Sequence, residues 1–308
     1  MKYNSGSAFR HALEDRLRQQ SLQSGLPLVR LRKMVAFDRF LARLVSGSPT
    51  GWVLKGGLVL QLRLEKGART TKDMDLLSLV DQEDIYPTLL TASRLNLEDW
   101  FLFEVARPIK SSIENFGGIR FRLRALLDGR TFEEFHLDAG VGDPIIGPVE
   151  YLRTPALLEF AGIQPIVVPC YPITQQIAEK VHALTLFLPS GESSRVKDFA
   201  DILLMAELGE VDGKLLVQAI QATFDARQTH SIPEKFPDMP TSWSLPFRKI
   251  AEEVDMNYRT LEDANNAVKR FLNPILSGEA LGRWDPVKWT WQYGYIDLLI
   301  LSSSDSLK

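Results

Sequence analysis

Between Trp52 and Leu77 the chain runs through an apolar stretch, a double glycine, a second apolar stretch of helical length and two aspartates one residue apart. Trp52-Val53-Leu54 reads as a short strand and Gly56-Gly57 as the opening of a helix. Asp73-Met74-Asp75-Leu76-Leu77 reads as a second strand. Side chains alternate across a strand, so Asp73 and Asp75 share one face while Met74 and Leu76 share the other. Two neighbouring carboxylates repel unless a cation lies between them. Their hard oxygens suit Mg²⁺, which keeps several waters and takes further ligands from phosphates. The free N–H groups and dipole of a helix start attract an anion, so Gly56 and Gly57 form a candidate phosphate-binding turn beside a candidate metal-binding strand. A DxD arises by accident about once in a chain this long, and Gly-Gly alone is most often a turn. The order of strand, glycines, helix, the basic turn Arg69-Thr70-Thr71 and then DxD is what points to nucleoside triphosphate chemistry.

Composition narrows the setting. The chain has 308 residues, 45% of them hydrophobic and 24% charged, which is ordinary for a globular protein large enough for two domains. A net charge of −3 argues against a non-specific nucleic-acid coat but leaves room for a local basic groove. One cysteine, Cys170, excludes an intrachain disulfide and a thiolate metal cluster. The polar start of the sequence lacks the apolar core of a signal peptide, and no apolar run reaches the ~18 residues needed to span a bilayer. A cytoplasmic protein is expected, with no membrane partner.

Two helices are expected first, over 8–22 and then around Met34, Phe37, Leu41 and Leu44. The basic residues Arg30, Arg32, Lys33, Arg39 and Arg43 read as a solvated face or, alternatively, an RNA-facing rim. Further on, Ile119 to Arg124, the turn Asp128-Gly129 and Phe132 to Asp138 spell a hairpin. Its alternation puts Phe121, Leu123, Phe135 and Leu137 inward, with Arg120, Arg122, Arg124, Glu134, His136 and Asp138 outward. Asp138 is a candidate third carboxylate, or simply the last residue of a strand. Residues 139–143 are expected to form a loop that carries the other candidate, Asp143. The Pro-rich stretch from Pro144 to Pro172 reads as the boundary between a domain over 1–170 and a helical one over 171–308. In the second, a helix over Ile173 to Phe187 carries Lys180 on or beside its buried face, where an ammonium needs an anionic partner. Ser193-Ser194 are expected to cap a helix beginning at Arg195 and carrying Asp198 and Asp201 on adjoining turns. A helix over 213–225, a connection over Arg227 to Pro246 and a helix around Val268 and Phe271 complete the pattern.

Lys55-Gly56-Gly57 followed by Arg69-x-Thr71-x-Asp73-x-Asp75-Leu76 resembles the first motif of the AbiEii family of nucleotidyltransferase-like toxins, which serve type IV toxin–antitoxin and abortive-infection systems and include the MenT toxins. Leu137 to Asp143, Glu179-Lys180-x-His182 and Arg195-x-Lys197-Asp198-x-x-Asp201 resemble later segments of the same family. The resemblance implies an α/β polymerase-β-like nucleotidyltransferase core with a mixed sheet, followed by an all-α domain, with the active site in the cleft between them. It implies that Asp73, Asp75 and Asp138 hold Mg²⁺. Lys55, Gly56, Gly57, Arg69, Thr71, Lys180 and Arg195 would bind the nucleotide, Lys180 would offset triphosphate charge, and Asp198 would orient Lys180 or the attacking hydroxyl. It further implies NMP transfer from an NTP to an RNA acceptor such as the 3′ end of tRNA, and a separately encoded antitoxin. An aminoglycoside-like small molecule or a protein is the alternative acceptor. One departure stands out: the family carries a small hydroxyl residue after the glycines where this chain has Leu58, leaving Thr70 or Thr71 to serve.

Overall fold

The computed structural model describes residues 2–64, 67–108, 118–186, 195–279 and 282–292. They form two compact units. The first comprises Met1–Lys66, Thr70–Gly142 and Val149–Tyr171; the second comprises Gly67–Arg69, Asp143–Pro148 and Pro172–Lys308.

The first unit opens with helices α1 (Gly6–Ser24) and α2 (Leu28–Gly47), followed by strand β1 (Trp52–Lys55), helix α3 (Gly56–Leu64) and strand β2 (Asp73–Ser78). Helix α4 (Ile85–Arg94) leads to β3 (Phe101–Val105), β4 (Ile119–Leu127), β5 (Arg130–Val141), β6 (Glu150–Arg153) and β7 (Val167–Cys170). Among the described residues these strands make one mixed seven-stranded sheet in the order β3-β4-β5-β2-β1-β7-β6. β2 runs parallel to β5 and antiparallel to β1. Period-2 patterning decides which way the sheet faces. Met74, Leu76, Phe121, Leu123, Phe135 and Leu137 are fully buried in a core shared with Phe9 and Leu13 of α1, Phe37 and Phe40 of α2 and Leu89 of α4. The β4–β5 turn has Asp128 and Gly129 at φ +55° and +69°, the left-handed pair that a two-residue hairpin needs to match strand twist.

Three expectations change in this unit. Strand β5 does not stop at Asp138. Its inward alternation continues through the buried Ala139, and Ala139, Gly140 and Val141 pair with Leu76, Leu77 and Ser78 of β2. The Pro-rich stretch does more than mark a boundary. It supplies β6 and β7, and β7 returns parallel to β1 at Leu54↔Cys170. The five basic residues of α2 do not form a solvated face or a free basic rim. Arg30, Arg39 and Arg43 are buried, Arg32 pairs with Glu14, and Lys33 with Glu133. Arg43 donates two bonds to Asp99, at 2.9 and 2.7 Å, and a third to the carbonyl of Phe101. Asp38 is buried beside Arg39, and burial pushes its carboxyl above the usual range against the pull of that guanidinium.

The second unit is built on α5 (Ile173–Thr185), α6 (Val196–Leu208), α7 (Gly213–Arg227), α8 (Ser244–Glu253) and α9 (Leu261–Leu276). It is not purely helical. A hairpin of β8 (Arg283–Asp285) and β9 (Thr290–Gln292) packs Trp284 and Trp291 against Phe271, and their indole N–H groups donate to the carbonyls of Ala206 and Phe271. Helix α8 falls partly within the stretch read as a connection. Pro246 stands in its first turn, where a missing N–H costs nothing, and Phe247, Ile250 and Ala251 are buried. Ser193 and Ser194 lie outside the described residues, and α6 begins at Val196 with no side-chain cap bond from Arg195. No described helix is long and apolar enough to cross a membrane.

The Arg43–Asp99 pair is fully enclosed, so removing one partner strands a charge. Asp99→Ala is expected to lower the unfolding free energy by about 3–5 kcal/mol, measured by urea denaturation against wild type.

Candidate active site

Strand register assembles the acidic face of the first unit. Asp75 of β2 stands opposite Asp138 of β5, in neighbouring strands roughly 4.8 Å apart. On either side of this couple lies a cation, because Asp138 pairs in register with Arg120 of β4 and Asp75 with Lys55 of β1. Arg120, Asp138, Asp75 and Lys55 therefore form one row across four strands. The next row holds Arg122, His136 and Asp73, and His136 Nδ1 lies 3.4 Å from Asp73 Oδ1. All these side chains project from the face opposite Met74 and Leu137, as alternation requires.

Arg120 grips Asp138 with both arms: Nε donates to Oδ1 at 2.7 Å and Nη2 to Oδ2 at 2.6 Å. The bond to Asp138, with the added fields of Asp73 and Asp75, raises the pKa of Arg120 further above its ordinary value. Asp75 is seated against the start of α3. A Cβ on Gly56 would lie 2.0 Å from Asp75 Oδ2, and Gly56 has φ +69°, so only glycine fits there. Asp143, the other candidate for third carboxylate, belongs to the second unit and pairs with Arg227 at 3.2 Å.

The remaining residues singled out in this unit divide. Lys55 places its ammonium over the Tyr171 ring at 5.4 Å from the centroid. Gly57 is buried in the first turn of α3. Thr71 is buried and donates its hydroxyl to the carbonyl of Asp73 at 3.2 Å, which commits its proton locally. Leu58 is a core residue.

The second unit gathers a separate ionic network. Lys180 is buried and donates to Asp198 at 2.7 Å and to Asp201 at 2.8 Å. Asp201 also accepts from Arg69 at 2.9 and 2.7 Å, and Arg195 reaches Asp198 at 3.4 Å. Burial works against the charge on Lys180, but Asp198 and Asp201 overcome it and hold its pKa above the lysine norm. Burial likewise raises Asp198, and Lys180 and Arg195 more than offset that, so it stays ionised. Asp201, which the sequence reading left out of the site, binds both Lys180 and Arg69; its position three residues after Asp198, on the same helix side, was the available signal.

The donor chemistry fits a divalent ion. Asp73, Asp75 and Asp138 offer hard oxygens from two adjacent strands on a partly exposed face, and Arg120 already stands there as a cation. Among the described residues no three His, Cys, Asp or Glu side chains are placed to hold a metal as they stand, and both oxygens of Asp138 are taken by Arg120.

Comparison with known proteins decides the class. A family model described as nucleotidyl transferase AbiEii toxin, type IV TA system, matches residues 39–292. The chain belongs to the AbiEii family. It is therefore a nucleotidyltransferase of a toxin family, and membership brings an NTP substrate and a separate antitoxin. The AbiEii chain also resembles MenT4, a nucleotidyltransferase toxin of Mycobacterium tuberculosis H37Rv. That match is 16% identical and covers 87% of this chain and 99% of the other at a TM-score of 0.52, which shows a shared fold. JHP933 of Helicobacter pylori is 12% identical over 80% of this chain and 92% of its own, at a TM-score of 0.43. No curated protein matches.

Two outcomes follow for this AbiEii protein. Lys180→Met leaves Asp198 and Asp201 short of a buried counter-charge while Arg69 and Arg195 remain. A loss of about 2–4 kcal/mol is expected, read by chemical denaturation. His182 is buried with its Nε2 2.8 Å from Thr229 Oγ1, and burial, helped by Arg227, pushes its pKa down to about 4. Because the unfolded ring titrates near 6.5, stability is full above that pH and declines as pH falls toward 4, where the unfolded chain takes up a proton that the native one refuses. Wild type should lose about 1–2 kcal/mol between pH 7.5 and 5 that a His182→Gln variant does not lose.

Proposed function

We propose that this AbiEii protein transfers NMP from an NTP to a hydroxyl of an RNA acceptor, the 3′ end of tRNA, in a Mg²⁺-dependent reaction that stops translation in the cytoplasm. The observation that carries the reading is the row in which Asp75 stands beside Asp138, with Asp73 two residues along on the same open face. Three such carboxylates are the donor set that phosphoryl transfer uses to hold its metal.

Asp73, Asp75 and Asp138 would hold Mg²⁺, which when bound supplies positive charge at the reacting phosphate. The acceptor oxygen forms a bond to the α-phosphorus, the α–β anhydride bond breaks, and pyrophosphate leaves as the hydroxyl proton is lost. Gly56 and Gly57 bring the N–H groups of α3 to a phosphate, a task for which the backbone at a helix start suffices without a hydroxyl at Leu58. Lys180 and Arg195 stand in this network as cations of the kind a triphosphate needs, and Asp198 fixes the ammonium of Lys180 by a 2.7 Å bond. Arg69 and Thr71 act indirectly, through Asp201 and through the backbone of Asp73. Positioning and charge carry such a reaction, since the protein makes no covalent bond.

A second reading, a small-molecule acceptor, draws support from the arginines of β4. Arg122 and Arg124 are paired with Glu134 and Glu104, so the stripe is neutralised as a phosphate-attracting surface. The two readings separate when labelled NTPs are offered with total bacterial RNA, an aminoglycoside panel and protein acceptors in parallel. Label on RNA, with transfer that falls steeply as salt rises, supports the first; label only on a small molecule or on protein overturns it. In the same assay Asp73→Asn and Asp75→Asn should each lower transfer by about 10²–10³-fold or more, with an unchanged circular dichroism spectrum. Full activity in either folded variant removes the metal assignment.

A further inference from the structure

The face that carries the three aspartates also carries the group that neutralises one of them. We propose that Arg120 is a resident counter-cation that keeps Asp138 from a divalent ion until a nucleoside triphosphate arrives, so that metal and nucleotide bind this protein cooperatively. The inference rests on the reading of Asp73, Asp75 and Asp138 as the metal-holding set.

A carboxylate held by an arginine fork gives its best lone pairs to that fork. Arg120 takes both oxygens of Asp138, so any ion that uses Asp138 must displace at least one arm. The arm is able to leave. The Arg120 side chain is 51% exposed, sits at the second residue of β4, and among the described residues donates from Nε and Nη2 to Asp138. Pairs of this exposure are worth little in water, which makes the contact a gate rather than a lock.

Where the freed guanidinium goes sets the sign of the coupling. Displaced by a metal ion alone, it remains close to a dication that repels it, and the carboxylates of the neighbouring strand pair already serve Arg122 and Arg124. A triphosphate changes this. It contributes ligands to the metal and offers oxygens that match the planar fork. Arg120 then exchanges one anion for another, and Asp138 is released without leaving a bare cation. Arg122 and Arg124, on the same strand face but bonded to glutamates, are the internal controls for a merely structural role.

Binding of Mn²⁺, followed by electron paramagnetic resonance with and without a non-hydrolysable NTP analogue, tests this without turnover. Arg120→Gln is expected to bind Mn²⁺ alone about three- to tenfold more tightly than wild type and to lose most of the gain that the analogue gives wild type. Arg120→Lys keeps the charge but not the fork and should fall between, which serves if the glutamine variant folds poorly. Arg122→Gln should match wild type in both measurements. Unchanged or weaker Mn²⁺ binding in Arg120→Gln, while Asp73→Asn abolishes binding, overturns the gate and leaves the metal reading standing. Mn²⁺ bound equally well by Asp73→Asn removes the metal reading itself.

Discussion

The parallel pairing of β2 with β5 is the constraint on which the first unit depends. Both strands alternate, so one register places Met74 against Leu137 on the core side and Asp75 against Asp138 on the other. A slip of one residue would turn carboxylates into the core and aliphatic groups out to water. The apolar side therefore enforces the acidic side. Burial of Met74, Leu76, Phe135 and Leu137 keeps the charges together despite their mutual repulsion, and Arg120, bonded to Asp138, relieves that repulsion at one end of the row.

Much of this was legible because strand periodicity survives in the sequence. The faces of Asp73, Asp75, His136 and Asp138 follow from the alternation of their apolar neighbours. The partner of Asp138 did not follow from the turn alone. Counting back from Asp128-Gly129 puts Arg120 one residue out of step with Asp138, and a register shift between Ala125 and Leu126 restores the match. Only the requirement that Phe121 and Leu123 pack with Phe135 and Leu137 signals that shift. The α2 arginines were misread for a different reason. Asp99, which buries Arg43, lies 56 residues away in sequence, and composition cannot tell a solvated guanidinium from one enclosed by a distant carboxylate. Strands β6 and β7 escaped because four-residue strands among prolines carry too short a period to read.

The second unit follows another economy. Its cations are not free groups awaiting an anion; Lys180, Arg69 and Arg195 are held by Asp198 and Asp201. Such a network lets Lys180 and Asp201 stay charged while buried. An anion meeting it would find side chains whose ordering entropy has already been lost on folding, which favours binding. The same packing makes Lys180 and Asp201 hard to replace, since removal of either exposes an imbalance in a low-dielectric setting.

The seat of Asp75 on Gly56 bears on how a bacterium could escape such a protein. A methyl group at position 56 would collide with Asp75 Oδ2 at 2.0 Å and would have to adopt φ +69°, so the carboxylate must move or the start of α3 must unwind. Either change displaces a charged group without altering a single charge. Under selection against growth inhibition, loss-of-function alleles should therefore collect at this small, electrically silent position as well as at the aspartates, and a survey confined to acidic residues would overlook them.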